Sequence, residues 1–255
     1  MNNKRKLIVI VSTVIVIILA AGAVVMLSSS GNSNTDASGT NNNEAASEEF
    51  LFSGKELPEI VAVINGQEIY KEQLLRDYMQ MKTLYENAGI DTGNPDMQKL
   101  MQEMLIMDMI NTVILVQEAE KAGINIDDDT VNKEKEIIVS QFESEEDFKN
   151  MLEKLDITLD DFNEKIRRQL KINTYLKAKV EESLANNDSL NISEEEKEEM
   201  YGIIESQLGD LPGYEDMKPK FDMMLENSKA QVIIGELIKD LLEKSEIELF
   251  IETKS

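Results

Sequence analysis

The apolar positions change period twice along the chain. Val61-Ala-Val-Ile64 is a short β-branched run, and Gln67 to Tyr70 can return beside it. Between them Asn65-Gly66 tolerates φ > 0 at both central positions, which predicts a tight hairpin turn. From Lys71 to Lys244 the apolar residues recur at helical steps of three and four. At Ile247-Glu-Leu-Phe-Ile251 a strand-like run reappears. A two-stranded hairpin is marginal alone in water. The pattern therefore predicts a mainly α domain whose N-terminal hairpin and C-terminal strand meet in a small antiparallel sheet.

The helical stretch divides at its punctuation. Lys71 to about Asn87 carries Leu74, Leu75, Tyr78, Met81, Leu84 and Tyr85 on one broad face, and Thr92-Gly-Asn-Pro95 separates it from the next helix. That helix, about Asp96 to Lys121, is apolar nearly all round, which predicts packing on several sides. Asp108 and Asn111 interrupt it too much for a membrane span. Gly123 suits its C′ position. Asp127-Asp-Asp-Thr130 caps a helix to about Phe142, and Ser144 to Leu155 forms a short one. Thr158-Leu-Asp-Asp161 has capping-box form and opens a long helix to about Leu184. Ser193-Glu-Glu-Glu196 starts another to about Leu208. After a Pro212-Gly213 turn, a last helix is expected over about Lys218 to Lys244, with Pro219 in its first turn.

The N-terminus reads differently. Residues 1–6 form a basic flank with Lys4, Arg5 and Lys6, and Leu7 to Leu27 contains no charge. As a helix this segment roughly matches a ~30 Å hydrocarbon core, and the flank places residues 1–6 in the cytoplasm. Residues 7–27 are expected to be a transmembrane anchor, since the run exceeds an ordinary signal h-region. The alternative is a signal segment cut after Ala21-Gly-Ala23, releasing a secreted protein. Residues 28–58, dense in Ser, Asn, Gly and Thr, read as a disordered linker of roughly 30 Å mean span. Phe50, Leu51 and Phe52 stand out within it. Residues 59–252 form the helical domain.

Composition narrows the function. The net charge is −24, and residues 1–30 contain only basic charge, so the remainder is more acidic still. Such a chain repels phosphate backbones, so no nucleic acid is expected as a partner. There is no Cys, which excludes disulfides and a lipid-modified cysteine. There is no His, which removes the usual neutral-pH base and the commonest metal ligand. The acidic clusters at Asp127–Asp129 and Asp160-Asp161 lack the spacing of a calcium loop and suit caps better. No nucleophile motif or phosphate loop is present, so neither catalysis nor a cofactor is expected.

Val61-Ala-Val-Ile-Asn-Gly-Gln-Glu-Ile69 followed by Glu72-Gln-Leu74 resembles the opening of the SurA and PrsA class of extracytoplasmic folding factors. Met109 to Ile124, Phe148 to Leu155, Leu159-Asp-Asp-Phe162 and Arg167-Arg-Gln-Leu170 resemble the helices that follow, and Leu241 to Phe250 the closing helix and strand. The resemblance covers about residues 59–251. In much of that class a parvulin-type prolyl isomerase is inserted before the final helix. Here only Ser193 to Met217 lies between the halves, too little for an isomerase fold. Parvulin sites also typically use His, often with Cys, and this chain has neither.

The resemblance implies a membrane-anchored extracytoplasmic chaperone (a holdase) for unfolded or secreted polypeptides, without isomerase activity. The alternative is a non-enzymatic adaptor for one cell-envelope protein. Met79, Met81, Met97, Met101, Met104, Met107 and Met109 crowd one region. Methionine adapts to many apolar shapes, so a Met-lined client groove is one reading and ordinary core filling the other. Tyr78, Met79, Met101 and Met104 are the expected client-binding residues, with Leu105 and Ile110 expected in the core.

Overall fold

The computed structural model describes residues 57–187, 192–209 and 212–251. The expected anchor at 7–27, and the linker up to residue 56, lie outside the described residues. Ten elements follow in order: β1 (Ile60–Ile64), β2 (Gln67–Tyr70), α1 (Lys71–Asn87), α2 (Pro95–Lys121), α3 (Asp128–Val139), α4 (Glu145–Lys154), α5 (Leu159–Asn186), α6 (Glu194–Leu208), α7 (Tyr214–Lys244) and β3 (Ile247–Leu249). The described residues fall into two units, one of residues 57–172 with 244–251, the other within 173–243.

The sheet of the first unit has the order β2-β1-β3, all antiparallel. Asn65 and Gly66 adopt φ 48° and 81°, so the turn is left-handed at both central positions as Asn-Gly allows. β3 pairs with β1 through Ala62–Leu249, Val63–Glu248 and Ile64–Ile247. The Asn65 side chain secures this closure. Its amide donates to Gln117 Oε1 at 2.9 Å and Ser245 Oγ at 3.3 Å, and its oxygen accepts the Glu246 backbone N–H at 2.9 Å. One turn residue therefore ties β1 to α2 and to the returning C-terminus.

α1 and α2 pack on β1, and α1 also on β2. Val61, Ile64, Ile69 and Leu74 are fully or almost fully buried there, and Leu57 is buried just ahead of β1. A second cluster joins Val131, Phe148, Leu152, Leu155, Ile157, Phe162 and Ile166 from α3, α4, the α4–α5 connection and the first half of α5. Phe148 sits edge-on to Phe142 and Phe162, with centroids 5.5 and 5.1 Å apart. The expected α3 end at Phe142 shortens to Val139, and Phe142 turns back onto this cluster.

Helix starts follow local chemistry. Asn94 Oδ1 accepts from the Asp96 N–H at 2.8 Å with Pro95 at the first helical position. Asp127 accepts from the Thr130 N–H, and Thr158 Oγ1 from the Asp161 N–H at 3.1 Å. Gly123 takes φ 73° after α2, and the Ile124 N–H reaches back to the Ala119 carbonyl.

In the second unit Val180, Ala230 and Ile233 form a small core with Leu184 and Ile234. A full capping box at Ser193 and Glu196 starts α6. The start of α7 differs from expectation. The helix opens at Tyr214, so Pro219 lies inside it rather than in its first turn. Proline there forfeits one helical hydrogen bond. The early turn is held instead by rings: Tyr214 lies edge-on to Tyr201 at 5.7 Å, and both flank the fully buried Phe221. The closing strand is also shorter than expected, ending at Leu249.

Candidate client-binding face

α2 is long and apolar enough to cross a membrane by length and composition, but half of its most apolar stretch is buried inside the protein. Met101, Leu105, Met109, Val113 and others are withdrawn from water, as Leu105 and Ile110 were expected to be. The opposite side is not covered. Leu100, Met104 and Met107 are exposed by 48, 44 and 47%, and Met97 is half-buried in line with them. Their spacing of three, four and three residues makes one narrow seam, about 15 Å long at 1.5 Å per residue. Isolated exposed apolar residues are ordinary, whereas aligned ones mark interaction surfaces.

The four residues singled out from sequence separate on this geometry. Tyr78 and Met101 are 1 and 0% exposed and sit in the interior. Met79 is half-buried on α1. Only Met104 presents substantial apolar surface, and it lies in the α2 seam. Leu100 and Met107 escaped notice as surface residues. Their signal was available: they fall in register with Met104 and on the side of α2 opposite Leu105 and Met109.

Polar groups cluster beside the seam. Lys165 on α5 donates to Gln80 Oε1 at 2.6 Å and pairs with Asp77 at 3.4 Å. Asp108 reaches solvent, yet the protein crowded around it raises its carboxyl above the ordinary range, and the nearby Asp77 adds to this. Arg168 and Lys165 pull the other way. The Gln80 amide nitrogen, Asn111 Oδ1 and Asn163 Oδ1 are buried without partners. Among the described residues no group of acidic side chains converges as a metal site.

Residues 1–176 match the SurA-like N-terminal domain. The chain belongs to this family. The match takes in the hairpin, α1 to α4 and α5 up to residue 176, and so includes the α2 seam. α6, α7 and β3 lie beyond it, although β3 returns to complete the sheet of the SurA-like domain. No curated protein and no solved structure matches the chain. The family is of chaperone type and generally extracytoplasmic, and its N-terminal domain is the chaperone rather than the catalytic part.

Proposed function

We propose that this protein is a membrane-anchored holdase, held by residues 7–27 with its helical domain outside the membrane, that shields unfolded or secreted polypeptides without isomerising them. The observation that carries the reading is the seam of Leu100, Met104 and Met107, exposed on a helix otherwise committed to the core. Family membership supports polypeptide clients. The uncharged stretch 7–27 behind a basic flank supports the anchor. Burying apolar surface of a client on this seam is worth roughly 25 cal/mol per Å² before ordering costs, so a short seam holds loosely and releases without a nucleotide.

Client breadth tests the reading. The full chain at modest excess should suppress aggregation of several unrelated unfolded proteins and leave cis–trans exchange of a proline peptide at its spontaneous rate. Suppression confined to one envelope protein would replace the holdase with an adaptor. Accelerated exchange would overturn the claim that isomerase activity is absent.

A further inference from the structure

The α2 seam has the register of a coiled-coil helix. Met97 and Met104 occupy the a positions of a heptad, and Leu100 and Met107 the d positions. The flanking g positions are Asp96 and Glu103, both exposed and neither in an ion pair among the described residues. The flanking e positions are Met101, which is buried, and Asp108, which is exposed. One edge of the seam therefore carries two exposed carboxylates, and the other carries one. Flanking charges choose the partner in such packing, and like charges across the seam repel.

We infer that this seam docks a partner segment as an amphipathic helix, apolar at heptad spacing and carrying Lys or Arg along the edge that meets Asp96 and Glu103. The inference rests on α2 being the client-binding face and names the class of client segment that fits it best. A second copy of this chain is the poorer occupant. It would set Asp96 and Glu103 near equivalent carboxylates or place two strongly acidic molecules together, at a net charge of −24 each. An extended segment uses the apolar seam but gains nothing from the heptad register.

The test uses the full chain in phosphatidylcholine nanodiscs and three labelled peptides, read by fluorescence anisotropy against empty nanodiscs. One peptide has leucine at a and d with lysine at e and g. The second replaces those lysines with glutamate. The third scrambles the first so that no apolar face forms. The lysine helix should bind about tenfold more tightly than either other peptide, and its advantage over the glutamate helix should shrink as salt rises. Asp96→Lys with Glu103→Lys should reverse the preference between the charged helices. Glu103→Lys alone, remote from the α2 cap, should shift it less in the same direction. Equal binding of the scrambled peptide, an unchanged preference in the double variant, or a dimer that excludes the lysine helix would each overturn the inference. If any of these results appears while the wild type holds unfolded proteins and Leu100→Ser/Met104→Ser/Met107→Ser does not, the inference fails while the holdase reading stands. If neither the peptides nor unfolded proteins bind, both fall.

Discussion

Met101 exposes none of its surface and Met104 exposes 44%, although they stand only three positions apart. Truncating them should therefore have opposite consequences. Met101→Ala leaves a cavity and should lower stability by about 2–5 kcal/mol in denaturant unfolding. Met104→Ser should stay within about 0.5 kcal/mol of wild type while weakening client binding. Sequence could not separate these two methionines, because α2 is apolar nearly all round and its uncovered side is set by which elements pack on it. Asn65 was legible, since Asn-Gly between two apolar runs specifies its own turn. Its second task, bridging α2 and β3, was not, because Gln117, Ser245 and Glu246 are distant in sequence. Asn65→Ala should cost about 1–2 kcal/mol through lost hydrogen bonds and should speed amide exchange in β3 before other strands.

α6 and α7 are joined by ion pairs as well as by ring contacts. Lys197, almost fully buried, pairs with Glu194 at 2.9 Å and Asp222 at 2.7 Å. Lys218 meets Glu194 at 2.6 Å, and Lys229 meets Glu196 at 2.8 Å. Bonds from Lys218 first and Lys197 second hold the Glu194 carboxyl at about 2, down from the ordinary 4.5. A carboxyl depressed on folding stabilises above its unfolded value, and that stabilisation is lost as pH falls through the folded one. This pairing should accordingly loosen as pH falls from 4.5 toward 2. Glu194→Gln should weaken it at neutral pH and flatten the acid dependence, both read by thermal unfolding across that range. The capping box at Ser193 and Glu196 was visible in sequence because its chemistry is confined to four residues. The early start of α7 was not. Proline at 219 argued for a first-turn position, and the stack of Tyr201, Tyr214 and Phe221 overrode that local preference.

At the scale of the whole molecule, hairpin, helices and returning strand were predictable, since each announces itself by period and punctuation. The exposed seam was half legible: of the side chains expected at the surface Met104 is exposed, whereas Tyr78 and Met101 are turned inward. The account's central claim is that the uncovered side of α2 is where clients rest. Photo-crosslinking tests this most directly. A photoreactive residue is placed at 100, 104 or 107, or at the exposed Glu136 on α3 as a control, and the full chain is illuminated with an unfolded protein. The account predicts adducts from the three α2 positions and few from position 136. Adducts of equal yield at all four positions, or none at α2, would contradict it.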